Sequence, residues 1–280
     1  MSRSDSEITQ HLLELIDRDE LILPTLPEVA LRIREAANDP DVSGRDLSDL
    51  LGSDPAISAR LIRVANSPLM RSMQRIDTLP SAISRLGIAY SCNLAMGLAM
   101  EQLFQATNEV VDERMRQVWK HSTEVAAVAT VLAQHYTRLK PDQATLAALV
   151  HEIGVLPVLA YAEEHSLYIG TDEGHLLDRL IADAHPLLGE RILAAWHFPE
   201  NLLPVPREHT QLRRVVPHVD YVDVVIVAKL QCQAEHHAFA ASEDWSAVSA
   251  FSRLGLSADR DVLEAERLTE EVQANRAVWR

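Results

Sequence analysis

The run Ser53-Asp54-Pro55-Ala56-Ile57-Ser58-Ala59-Arg60-Leu61-Ile62-Arg63-Val64-Ala65-Asn66 reads as one complete helix, with its start, buried face and stop all written locally. Ser53 and Asp54 offer a cap, and Pro55 suits the first helical position, where no N–H is needed. Ile57, Leu61 and Val64 recur at helical spacing and form one apolar stripe. Arg60 and Arg63 are expected in solvent or at the C-terminal ends of helices. Asn66, which tolerates left-handed geometry, is the natural stop.

The same grammar recurs on both sides of this run. Ile8, Leu12, Leu15 and Ile16 give an apolar stripe, and Val29, Ile33 and Ala36/Ala37 give another. Asn38-Asp39-Pro40 ends a helix, and Ser43-Gly44-Arg45-Asp46 reads as a capping box with Asp in place of the usual Glu. Proline at a helix start is expected at Thr78-Leu79-Pro80, Lys140-Pro141 and His185-Pro186. No period-2 strand run or Asn-Gly hairpin turn interrupts the pattern. Val222 to Val227 is rich in β-branched residues, yet it lies inside a helix-compatible run from Val219 to Ala240. The expected fold class is all-α.

Composition bounds the rest. The 280 residues are 47% hydrophobic but only 5% aromatic, so the core must be built from Leu, Ala, Ile and Val. A formal net charge of −15 opposes a nucleic-acid footprint and anionic membrane surfaces, both of which need basic faces. Cys92 and Cys232 have no CxxC partner and are expected as buried free thiols in a reducing compartment. The most apolar stretch, Leu146 to Ala162, is interrupted by His151, Glu152 and Pro157 and is too short for a membrane span. The N-terminus lacks the apolar core of a secretory signal, and the expected localisation is cytoplasmic.

Periodicity weakens at 106–112, which suggests a bundle of two lobes. The expected organisation is an N-terminal helix over 1–19, a main domain over 20–240 with lobes at about 20–108 and 109–240, and a helical extension over 241–280. Thr171 to Gly174 and Pro204 to Arg214 are the least ordered candidates.

Ordered blocks along this frame resemble the HDOD family, the HD-related output domain of bacterial signalling proteins. They begin at Leu23-Pro24-Thr25-Leu26-Pro27-Glu28-Val29 and run through Asp54-Pro55-Ala56 and Ala59 to Ser67. Ala82-Ile83-Ser84-Arg85-Leu86-Gly87, Val118-Trp119-Lys120-His121-Ser122, His185-Pro186-Leu187-Leu188-Gly189 and Trp196-His197-Phe198-Pro199 follow in order. Read physically, the N-terminal blocks are architectural: prolines hold an extended lead-in and apolar residues form helix stripes. The resemblance implies a two-lobed helical bundle whose second lobe is a degenerate HD domain.

His151-Glu152-Ile153-Gly154 is similar to the His-Asp-x-Gly element of the HD phosphohydrolase superfamily. The resemblance places the first metal ligand at His121, the paired ligands at His151 and Glu152, and the final acidic ligand at Lys229. His185 and His209 stand where enzymes with a second metal add histidines. Such a set suits Mn, Mg, Fe, Ni or Zn. Lys229 opposes it, because an ammonium about 4 Å from a dication meets repulsion on the order of 8 kcal/mol at an effective dielectric near 20. Pairing Lys229 with Glu152 and omitting the ion is the expectation, so no cofactor is expected. Asp220 and Asp223 are the alternative final ligands. His165, His175, His218, His236 and His237 have no spacing partner, and His197 is either a cleft residue or a packed one.

No Gly-x-x-x-x-Gly-Lys-Ser/Thr, Gly-x-Gly-x-x-Gly or Gly-x-Ser-x-Gly motif is present. The favoured reading is a regulatory module that binds other signalling proteins and has little or no hydrolytic activity. The competing reading is a metal-dependent phosphohydrolase acting on a phosphomonoester or nucleotide. That enzyme would want basic residues around its cleft, and Arg114, Lys120 and Arg191 are scattered in the sequence. A nucleotide sensor using the same cleft is a third reading.

Overall fold

The computed structural model describes residues 10–12, 14–16, 18, 20–67, 70, 74–167, 173–235, 245–258 and 266–279. Among these residues there is no strand, and the all-α expectation holds. After helical residues 10–12 and 14–16 come α1 (Glu28–Asn38), α2 (Gly44–Leu51), α3 (Pro55–Ala65), α4 (Leu79–Leu86) and α5 (Ile88–Met100). The second half holds α6 (Glu109–Tyr136), α7 (Pro141–Val150), α8 (Val155–Glu164), α9 (Glu173–Ala195), α10 (Val205–Glu208) and α11 (Tyr221–Glu235). Two further helices, α12 (Ser249–Leu254) and α13 (Glu266–Arg276), complete the described chain.

Local chemistry sets many of these boundaries. Asp54 accepts from the Ala56 and Ile57 amides at the head of α3, and Ser43 and Asp46 close a reciprocal capping box on α2. Gly87 ends α4 with φ at 85°, a conformation that penalises any Cβ. Asn66 does stop α3, but with φ at −99° rather than in the left-handed region. Its side chain explains the stop: the amide donates to the Ile62 and Ile76 carbonyls at 2.9 and 2.7 Å and accepts from the Ile76 N–H at 2.9 Å. Arg60 pairs with Glu101 at 2.6 Å, and Arg63 donates to the Ala277 carbonyl just beyond α13.

Two expectations fail. Pro186 does not begin a helix; it lies inside α9. An interior proline costs roughly 3 kcal/mol, but Leu180, Ala184, Leu188, Ile192 and Leu193 are buried on both sides of it. Each large aliphatic side chain contributes about 1.5–3 kcal/mol on burial, so packing carries the helix through. Pro204 to Arg214 is not a loose connection either. It contains α10, and Val205, Pro206, His209 and Arg214 are buried. Of the other weak segment, 171–172 lie outside the described residues and α9 begins at Glu173. Ile8, residues 236–240 and the side chain of His175 are also outside them.

One continuous apolar core joins the helices. Its axis is α6, which packs against α7, α11 and α13, while α5 lies between α1 and α7. Val222 to Val227 are buried within α11, which is why their β-branched character does not prevent a helix. The run Pro141–Glu164 is long and apolar enough to cross a membrane, but 89% of its most apolar window is buried inside the fold. It is divided into α7 and α8 by a turn over 151–154.

Two close approaches at glycines then fix the second half. A Cβ on Gly154 would run into the His185 carbonyl and the Gly189 amide, and a Cβ on Gly189 would run into the Pro206 ring. Glycine at these two positions lets α9 press against the start of α8 and lets α10 press against α9. Gly154→Ala is expected to destabilise the protein by about 2–4 kcal/mol, since the obstacle is backbone rather than a movable side chain. Urea unfolding tests this; a loss below about 0.5 kcal/mol would contradict the close approach.

Candidate metal centre

Four segments bring the histidines together. His121 projects from the middle of α6, and His151 is the residue that ends α7. The His151–Glu152 pair therefore sits at a helix end and turn rather than within one helix. His151 keeps right-handed backbone angles (φ −61°, ψ −29°), so neighbouring side chains remain splayed by about 100°. His185 comes from α9, and His209 ends α10. Lys229 reaches the group from α11.

Ligand atoms of His121, His151 and Glu152 all lie within 4.8 Å of one another. The His121 and His151 rings are 5.7 Å apart, those of His151 and His209 4.9 Å, and those of His185 and His209 5.4 Å. His151 Nε2 is 3.8 Å from Glu152 Oε1. His151 is fully buried, and His209 and His185 are nearly so.

Backbone carbonyls orient two of the rings. His151 Nδ1 donates to the Ala148 carbonyl at 2.6 Å, and His185 Nδ1 donates to the Ile181 carbonyl at 2.6 Å. Neutral His151 must then present its Nε2 lone pair inward. That buried atom has no hydrogen-bond partner. An orphaned, inward-facing imidazole nitrogen beside a carboxylate and a second imidazole fits one divalent ion. These three residues are the ones that would hold it, and the ion would supply charge for polarising a phosphoryl oxygen or acidifying water.

The other half of the cluster does not fit an ion. Lys229 Nζ lies 2.8 Å from His209 Nδ1, and His185 Nε2 lies 3.2 Å from His209 Nε2. The residue at the final-ligand position thus brings a cation into the group. Its charge lowers the proton affinity of its neighbours. Burial holds His151 down to about 3, with Lys229 and His121 adding to the effect and Glu152 opposing it. Burial and then the Lys229 charge hold His209 well below the usual histidine value. His185 is lowered chiefly by burial. Burial pushes the Glu152 carboxyl up, but His151, Lys229, His121 and His185 together bring it below its usual value. The Lys229 charge thus helps hold the Glu152 carboxyl low, and the Lys229 ammonium hydrogen-bonds His209.

Asp220 and Asp223 are committed elsewhere. Arg214 reaches Asp220 at 2.7 Å and Asp223 at 3.0 Å, and Arg253 reaches Asp223 at 2.7 Å. Asp223 is fully buried in this network, some 9 Å along α11 from Lys229 at 1.5 Å per residue. The alternative in which either supplies the final carboxylate fails for that reason. Sequence reasoning missed Arg214 and Arg253, and no spacing rule could have found them. Of the basic residues considered for the cleft, Arg114 pairs with Asp178 and Arg191 donates to the Ile16 carbonyl. His165 stacks on Tyr161 and bonds its carbonyl, and His197 adopts φ 49° after α9.

The HDOD domain family model matches residues 23–212. This chain belongs to the HDOD family. It is similar to a "putative metal-dependent phosphohydrolase" from Shewanella amazonensis SB2B, with 34% identity over 99% of each chain and a TM-score of 0.88. An HDOD domain protein of unknown function from Geobacter sulfurreducens is 24% identical over 92% of each chain, with a TM-score of 0.63. A "putative signal transduction protein" from Marinobacter aquaeolei VT8 is 23% identical, covers 99% of this chain and 66% of its own, and has a TM-score of 0.64. Among curated proteins none matches. In this HDOD domain the blocks read as architectural do serve the fold, for Asn66, Asp54 and Gly87 all shape helix ends.

Burial of these imidazoles is expected to make this HDOD protein acid-sensitive. A histidine whose folded value is lowered binds fewer protons folded than unfolded, so its stabilisation is complete above about pH 6.5 and is lost as pH falls. For His151 the loss extends down to about 3. Glu152, also lowered, adds a loss in the same direction at lower pH. Stability in chelator is expected to fall as pH drops below about 6.5, with a limiting slope of about 1.4 kcal/mol per pH unit from His151 and further losses of the same sign from His185 and His209. A urea midpoint that stayed flat from pH 6.5 to 4.5 would contradict neutral buried rings.

Proposed function

We propose that this HDOD protein is a cytoplasmic regulatory module that acts by binding other signalling proteins, with little or no hydrolytic activity of its own. The observation that carries this reading is the Lys229 ammonium, which occupies the histidine cluster and bonds His209 at 2.8 Å. A fixed cation there supplies charge without an exchangeable ion and without a coordinated water to activate. Family membership supports the regulatory class, since HDOD domains resemble output modules of bacterial signalling proteins. The net charge of −15 favours protein partners over nucleic acid or anionic lipid. Both cysteines are free and buried, as suits a reducing compartment.

A second reading is favoured by one specific observation. His121, His151 and Glu152 retain a three-donor arrangement within 4.8 Å, and the 34%-identical Shewanella protein is described in terms of metal-dependent phosphohydrolysis. Here His121, His151 and Glu152 would hold a single metal, and its substrate would be a phosphomonoester or nucleotide.

The test is elemental analysis of protein purified without chelator, joined to a phosphatase and phosphodiesterase screen with added Mn, Mg and Ni. Substoichiometric metal and no turnover are expected. Turnover that disappears in His151→Ala would establish the second reading in place of the first.

A further inference from the structure

Each imidazole nitrogen in the Lys229–His209–His185 row faces a specific neighbour, and donor and acceptor roles along the row are fixed. An ammonium only donates, so Lys229 Nζ, 2.8 Å from His209 Nδ1, makes that nitrogen an acceptor. The proton of neutral His209 must then sit on Nε2. That Nε2 is 3.2 Å from His185 Nε2. A carbonyl only accepts, so His185, whose Nδ1 is 2.6 Å from the Ile181 oxygen, carries its proton on Nδ1 and offers a lone pair at Nε2. Every link therefore has one donor and one acceptor: Lys229 to His209, His209 to His185, His185 to Ile181.

The direction of this row is set at its first member. A carboxylate at position 229 could only accept, and it would draw the His209 proton onto Nδ1. His209 Nε2 and His185 Nε2 would then confront each other as two lone pairs about 3 Å apart. Two imidazole lone pairs converging in a buried site repel each other, and a divalent cation between them removes the conflict. The imidazole nitrogen that faces a metal is decided by the hydrogen bond its other nitrogen makes. We infer that Lys229 is a tautomer-setting residue that closes the His185–His209 pair to metal, leaving His121, His151 and Glu152 as the part of the cluster able to accept an ion.

This deepens the regulatory reading and rests on it only for its meaning, because it concerns where protons sit rather than whether the protein turns over substrate. His151 supplies an internal contrast. Its Nδ1 is held by the Ala148 carbonyl in the same way as His185, yet its Nε2 has no donor facing it and remains orphaned. The row from Lys229 satisfies two of the buried rings and does not extend to the third.

The experiment is long-range ¹H–¹⁵N correlation on full-length protein with ¹⁵N-labelled histidine in chelator, followed by calorimetric titration with Mn²⁺ and Zn²⁺ after chelator removal. Wild type is expected to show the Nε2–H form for His209 and the Nδ1–H form for His185. Lys229→Arg, which keeps a donor, should retain both forms. Lys229→Asp should move the His209 proton to Nδ1 and bind metal at least about tenfold more tightly than wild type, the lower end of what outer-shell partners of metal ligands usually contribute. An Nδ1–H form for His209 in wild type overturns the inference, and so does a folded Lys229→Asp protein that binds metal no better than wild type. Should Lys229→Asp fail to fold, the tautomers of wild type and Lys229→Arg still decide it. Wild-type phosphatase activity would sink the regulatory reading and leave these proton positions untouched.

Discussion

The close packing of Gly154 on the α9 backbone and of Gly189 on the Pro206 ring is the constraint on which the second half of the molecule depends. It brings the end of α7, the middle of α9 and the end of α10 within the reach of imidazole side chains. Gly154 needs no unusual backbone angles for this, its φ being −66°. What matters is the missing Cβ. Once the three segments are pressed together, His151, His185 and His209 have nowhere to go but inward, and burial then lowers their proton affinity.

A buried group of neutral imidazoles beside a carboxylate needs positive charge, and two sources could supply it. One is a metal ion; the other is a side chain. Lys229 is a side chain on α11, a helix held in place by its own buried face and by the Arg214–Asp223–Arg253 ion pairs near its start. Those ion pairs consume the carboxylates that could otherwise have served the cluster. The distribution of charge along α11 therefore separates two jobs: acids near the N-terminal end anchor the helix, and a base further along enters the site. The acids also sit favourably against the helix dipole.

Much of the fold was legible locally. Asp54-Pro55, Ser43 with Asp46, and Gly87 carry their instructions in their own chemistry, and the structure uses them as helix ends. Pro186 was misread because proline's local preference for a helix start was outweighed by an apolar stripe that continues past it. Pro204 to Arg214 looked loose because proline and charge dominate its composition. Its order comes from partners outside the segment: α9 packed on α10, and Asp220 and Asp223 around Arg214. In the site, the family resemblance placed His121, His151, Glu152, His185, His209 and Lys229 in one group, and their side chains converge.

By itself the sequence determined the all-helical class and most of the helix ends, because periodicity and capping act over a few residues and need no knowledge of neighbours, whereas the cluster residues were grouped by resemblance to the family rather than by local pattern. Tertiary structure alone decided which partner each nitrogen faces. A lysine aligned with a lost acid could have paired with Glu152 only, but α10 and α11 place His209 Nδ1 at 2.8 Å from its ammonium. Hydrogen-bond direction depends on distances of a few tenths of an ångström between atoms far apart in the chain, and no local pattern encodes them.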